Sequence, residues 1–194
     1  MTLYTRTGDK GFTLLPAADG KTYLRVRKDD VRVEALGAID ELNAAVGFAA
    51  VEAARLKNHR IQHSLLNAQD GLFRVGAMLA AIAAGAQPKV RLDNRAVTRM
   101  EKQIDGIWAE LGELKRFVFV GGCELAGRLH LARTVARRAE RAVVTVLNAS
   151  QEAKRSRSTA AAVARYLNRL SDLLFALARK ATRDGNVRES TGKP

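Results

Sequence analysis

Residues 130–141 read His130-Leu-Ala-Arg-Thr-Val-Ala-Arg-Arg-Ala-Glu-Arg141, and their spacing decides the fold. Leu129, Ala132, Ala136, Ala139, Val143 and Val146 recur at intervals of three and four, so they form the buried stripe of a helix. Arg133, Arg137 and Glu140 fall together on the flank of that stripe. Arginines one turn apart cost an isolated helix about 0.2–0.5 kcal/mol. A group outside the helix must offset that repulsion. A polyphosphate or a partner carboxylate suits it, because guanidinium forks match both.

The same periodicity extends along the chain. Asp29 or Asp30 is placed to cap a first helix whose seam is Ala35, Ile39, Leu42, Val46 and Ala49, with Asp40, Asn43 and Gly47 beside it. A second helix is predicted from about Asn58 to Ala84, ended by Gly85 with Pro88 beyond. Asp93 is placed to cap a third, reaching about Leu111. Residues 112–122 read as a connector with Phe117, Phe119 and Gly121-Gly122, and the arginine helix fades near Ala149. A polar, basic connector is expected over 150–157, then a fifth helix with Leu167, Leu170, Leu174 and Leu177 inward. With no internal repeat, these segments predict an all-α, five-helix antiparallel bundle. Residues 1–183 form its single domain, including a loop-rich segment over 1–28, and 184–194 form a polar, frayed tail.

Composition narrows the function. At 194 residues and 47% hydrophobic, the chain can bury a self-sufficient core. A net charge of +13 favours anionic partners: nucleic acid, acidic membrane or a nucleoside triphosphate. Aromatics at only 5% argue against a surface of stacked bases. One cysteine, Cys123, forbids an intrachain disulfide and suits a reducing compartment. The absence of a membrane-length apolar run and of a signal-peptide core predicts a cytoplasmic protein, or a matrix protein trimmed of its transit peptide.

A second polar block lies near the N-terminus, where residues 5–13 read Thr5-Arg-Thr-Gly-Asp-Lys-Gly-Phe-Thr13. Its two glycines and three hydroxyls around a lysine let backbone N–H groups approach phosphate, although the spacing is not that of a Walker A loop. Read alone, it is a weak signal, and a polar N-terminal turn is the favoured reading.

Taken together, Thr5–Thr13, Arg32–Gly47, Phe117–Arg141 and Tyr166–Arg179 resemble the ATP:cob(I)alamin adenosyltransferases of the propanediol-utilisation (PduO) type. That family forms trimeric five-helix bundles and moves the 5′-deoxyadenosyl group of ATP onto the cobalt of reduced cobalamin, releasing triphosphate. The resemblance implies that Thr5, Arg6, Thr7 and Gly8 wrap the phosphates, with Thr13 nearby, and that Lys28 binds ATP. It places Arg137, Arg138, Glu140 and Arg141 at the nucleotide, with Arg137 on the phosphates and Glu140 holding magnesium. Asn168 matches a nucleotide-binding asparagine. Asp40 and Arg133 match a salt bridge between subunits that shapes the corrinoid site. Phe117 matches the aromatic beneath the corrin that displaces its lower axial ligand. A reductase and an adenosylcobalamin-dependent acceptor enzyme are the implied partners.

The chain departs from the family at Val120, where a proline usually precedes Gly121-Gly122, at Cys123 in place of a serine or threonine, and at Arg128 in place of a small residue. Phe119 offers a second aromatic beside Phe117. His59 and His63, one turn apart without a third ligand, read as a surface pair, His130 as a packing residue and Cys123 as inert. Two other functions compete: a basic helical nucleic-acid binder with salt-dependent affinity, and an adenosylcobalamin-holding chaperone of the same fold.

Overall fold

Helix signals in the sequence translate directly into architecture in the computed structural model, which describes residues 6, 8–16, 21–93, 95–114 and 116–191. Helices α1 (Val31–Arg55), α2 (His59–Ala83), α3 (Ala96–Leu111), α4 (Glu124–Ala149), α5 (Gln151–Arg155) and α6 (Arg157–Asp184) follow a hairpin of β1 (Phe12–Pro16) and β2 (Tyr23–Arg27). The expected five helices are therefore five long helices plus one short one. Helix α4 packs against both α1 and α6, α2 lies on α1, and α3 lies on α6. None of the described helices is long and apolar enough to cross a membrane.

Caps fix the helix starts. Asp30 accepts a hydrogen bond from Arg32 N at 2.9 Å, and its carboxylate also takes the Arg32 guanidinium at 2.7 and 2.9 Å. Asn58 accepts from Ile61 N at 3.1 Å at the head of α2. Asp93 bonds Arg95 N at 2.9 Å, one turn ahead of α3 rather than at its cap. Cys123 gives α4 no side-chain cap; its Sγ lies 3.4 Å from Ala181 O instead.

These partners hold the Asp30 carboxyl down at about 2, from an ordinary 3.8. A depressed carboxylate contributes stability above its unfolded value and loses it as pH falls from about 4 towards 2. Asp30→Ala is expected to cost about 1–2 kcal/mol at neutral pH, with Asp30→Asn retaining most of the cap. Thermal unfolding of both variants at pH 7 and pH 3 checks this, since the penalty should shrink at the lower pH.

Large aliphatic side chains fill the centre, including Leu42, Leu65, Leu72, Leu125, Leu129, Leu167 and Leu170. Midway along α4, between His130 and Val143, the buried positions are alanine alone: Ala132, Ala136 and Ala139 are fully enclosed. These short side chains let α4 sit close to both neighbours. The Tyr166 phenol crosses from α6 to bond Ala68 O at 3.1 Å. Gly71 leaves it room, because a Cβ there would collide with the ring. Burial pushes that phenol's pKa well above its ordinary value.

Three segments differ from expectation. The loop-rich N-terminus contains the hairpin, in register Thr13↔Val26 and Leu15↔Leu24. Only Leu15 and Val26 are buried in it, so no alternation announces the strands. The expected connector at 150–157 contains α5, because Ser150 accepts from Ala153 N at 3.2 Å and buried Glu152 accepts from Ser156 Oγ at 2.8 Å. As far as Thr191 the tail is docked rather than frayed. It turns back after α6, with Val187 N donating to Thr182 O at 3.0 Å, and buried Arg179 finds its counter-charge there in Glu189.

Candidate active site

A cavity of about 580 Å³ opens between α4, α6 and the 112–122 connector. Arg133 and Arg137 line it from α4, Ser171, Asp172 and Phe175 from α6, and Phe117, Val118 and Val120 from the connector. Helical spacing places both arginines on one wall, as the sequence predicts. Phe117 is 94% exposed, an apolar ring held in solvent with nothing packed over it. Phe119 is also exposed but does not line this cavity.

Arg133 is held less by partners than by its surroundings. Its Cζ lies 5.8 Å from the Phe175 ring centroid, and its Nε is buried without a hydrogen-bond partner. A buried, unmet guanidinium donor is costly and marks a place where an acceptor belongs. Among the described residues no ion pair joins it to Asp40, which stands exposed on α1. His130 packs one turn earlier, 6.0 Å from the same Phe175 ring. Burial, then the Arg133 charge, lower its pKa, so the imidazole is neutral at physiological pH.

Glu140 and Asn168 meet across α4 and α6, with Asn168 Nδ2 donating to Glu140 Oε1 at 3.1 Å. Two residues far apart in sequence, both predicted at the nucleotide, thus share one position two turns beyond Arg133. The remaining arginines diverge. Arg141 is exposed, with Nη1 donating to Arg137 O at 3.1 Å. Arg138 points the other way, pairing with Glu34 at 3.5 Å and with Glu41, both on α1. One residue along a helix is a rotation of about 100°, which takes Arg138 off the Arg137 face.

Thr5 and Thr7 lie outside the described residues. Arg6 has a positive φ of 58°, and Gly11 one of 78°. Lys28 N donates to Gly11 O at 2.9 Å, closing the loop onto β2. The Lys28 ammonium passes so near Gly8 that a Cβ there would stand 3.3 Å from it. Thr13 lies half-buried in β1. This cluster rests on the hairpin, and β1 packs on α2, whereas the cavity is built from α4 and α6.

Some cavity residues carry no clear sequence signal. Phe175 breaks a leucine-rich seam, which was its only mark. Asp172 is paired with Arg169 at 2.7 Å, and Arg169 also bonds Glu101 at 3.1 Å. Arg128 serves elsewhere, stacking 3.8 Å over Phe48 and bonding Glu124 at 2.5 Å and Phe48 O at 3.1 Å. His59 and His63 are both exposed, and no cluster of three metal-ligating side chains occurs among the described residues.

The family model for cobalamin adenosyltransferase matches residues 3–181. A corrinoid adenosyltransferase of Bacillus subtilis is 42% identical over 180 residues, covering 92% of this chain and 86% of that protein. The corrinoid adenosyltransferase PduO of Salmonella typhimurium is 43% identical over 191 residues, covering 96% of this chain but 51% of that protein. The chain thus spans about half of that longer relative. Among solved structures, a phenylalanine-to-alanine variant of a PduO-type ATP:corrinoid adenosyltransferase from Lactobacillus reuteri, complexed with cobalamin and ATP, superposes with a TM-score of 0.82 at 30% identity, covering 100% of both chains. An arginine-to-lysine variant complexed with ATP gives 0.81 at 31%, covering 98% of this chain and 100% of that one.

Proposed function

This chain belongs to the cobalamin adenosyltransferase family and is an ATP-dependent corrinoid adenosyltransferase, and from that premise we propose how its residues divide the work. The reaction joins cobalt to carbon. Cob(I)alamin attacks C5′ of ATP, the Co–C bond forms, the C5′–O bond breaks, and triphosphate leaves with the bonding electron pair. Cobalt(I) is already a strong nucleophile, so the protein supplies no activating base. Its tasks are to align C5′ with cobalt and to stabilise the departing triphosphate.

The observation that carries this division is that one cavity is lined by cations and aromatics together: Arg133 and Arg137 from α4, Phe117 from the connector and Phe175 from α6. Arg137 takes the phosphates, where its fork meets developing negative charge. Phe117 presses on the lower corrin face and excludes water and the axial base. Asn168 orients Glu140, whose carboxylate would help hold a magnesium ion, and that ion would supply neutralising charge to the leaving triphosphate. Arg141 extends the cationic rim, and Arg138, tied to Glu34 and Glu41, fixes α4 against α1 behind it.

Arg6, Gly8, Thr13 and Lys28, together with Thr5 and Thr7, form the other wall of the nucleotide site, contributed by a neighbouring subunit of a homotrimer. Two features support this. The hairpin cluster and the α4 cluster rest on different elements, and Arg133 has an unmet buried donor while Asp40 is an exposed carboxylate. Asp40 of one subunit meeting Arg133 of the next satisfies both.

Subunit mixing tests this arrangement. Lys28→Ala and Arg137→Ala subunits, each inactive alone, should regain activity when co-expressed. Random assortment around a ring rebuilds about one quarter of the sites. No recovery in verified mixed oligomers, or a monomeric mass by light scattering, would place both walls in a single chain.

A further inference from the structure

The connector carrying Phe117 has little to hold it. Residues 112–122 contain no proline, Gly121 and Gly122 both have positive φ (151° and 100°), and Phe117 is almost wholly exposed. Its position is set by its neighbours' backbone, and the C-terminal tail grips that backbone. Phe119 N donates to Ser190 O at 2.8 Å, and Val118 pairs with Thr191 as an antiparallel bridge.

The tail is anchored in turn by one buried cation. Arg179 is 4% exposed on α6, and its Nε and Nη2 reach the Glu189 carboxylate at 2.9 and 3.2 Å. Its Cζ stacks 4.8 Å from the Trp108 ring centroid on α3, and Nη1 lies 3.5 Å from Gly112 O, where the connector begins. A two-pronged pair of this kind fixes orientation as well as distance. Arg179 therefore touches α3, the start of the connector and the tail, while the tail holds the connector's middle.

We propose that Arg179 and Glu189 are positioning residues for corrinoid binding: their buried pair clips segment 189–191 onto Val118 and Phe119, and so holds Phe117 against the lower face of the corrin. This rests on the role given to Phe117 above. Neither residue touches substrate. Loss of the clip lets the aromatic wall swing while the phosphate wall on α4 stays in place.

The test uses full-length Glu189→Gln, a chain ending at Arg188, Phe117→Ala, and the Phe117→Ala/Glu189→Gln double variant. The readouts are KM for corrinoid, KM for ATP, and the absorption spectrum of cob(II)alamin bound with ATP, which reports loss of the axial ligand without turnover. Glu189→Gln and the shortened chain should each raise the corrinoid KM by about tenfold, leave the ATP KM within about twofold, and diminish the cob(II)alamin spectral change. The double variant should be no worse than Phe117→Ala, because Glu189 acts through Phe117. An unchanged corrinoid KM and spectrum in both tail variants overturns the clip, as does an equal rise in both KM values, which marks general loosening. Full additivity in the double variant also overturns it. If Phe117→Ala itself leaves the spectrum unaltered, the role of Phe117 fails, and the clip fails with it.

Discussion

Replacing Arg137 with alanine is expected to lower kcat by about 10²–10³-fold, the scale of losing one preorganised donor at developing charge. The fold should survive. Arg137 is exposed on α4, its removal opens no cavity, and it relieves repulsion with Arg133 and Arg141. Alanine is also the better helix former, so stability should move by less than about 0.5 kcal/mol. Decay of the cob(I)alamin band in the presence of ATP and magnesium, set beside a thermal melt, separates the two effects. Arg137→Lys should recover only part of the loss, because an ammonium keeps the charge but not the planar fork. Retained turnover in the alanine variant would remove Arg137 from the triphosphate.

Phe117→Ala should divide the activity according to how cobalt is supplied. With cob(II)alamin and a reducing system, the rate should fall by about 10²-fold, since the apolar wall that displaces the lower ligand is gone. With chemically generated cob(I)alamin, transfer should be nearly spared, because the ligand has already departed and the phosphate wall is intact. An exposed ring contributes little to folding, so the melting temperature should barely change. Equal losses in both assays would argue that Phe117 merely shapes the pocket.

Helix reading was dependable wherever an apolar seam ran for several turns and a cap marked its start. Asp30 and Asn58 begin α1 and α2 where expected, and the seams of α1, α2, α4 and α6 are the buried core. Single-residue burial defeated it elsewhere: one inward side chain per strand hides the hairpin, and one turn of helix hides α5. The tail escaped because its docking depends on the buried pairing of Arg179 with Glu189, which no spacing within α6 announces.

For the site, spacing alone put Arg133, Arg137 and Glu140 on one flank, and the structure adds Asn168 to Glu140 and Phe117 to the two arginines. It also separates Arg138 from its neighbours, a distinction one residue of helical rotation makes and a run of basic letters conceals. Phe175 and Asp172 became visible only through the cavity. Nothing in a leucine-rich helix announces which ring will face a neighbouring loop.

The alanine stripe of α4 has a mechanical side. Alanine has no side-chain rotamers, so ordering this seam costs no side-chain entropy. Between His130 and Val143 it also leaves no rotamer changes through which α4 could yield to strain from its neighbours. Arg133 and Arg137 thus flank a seam with no side-chain freedom, while Phe117, which lines the same cavity, stands exposed on a connector outside the helices.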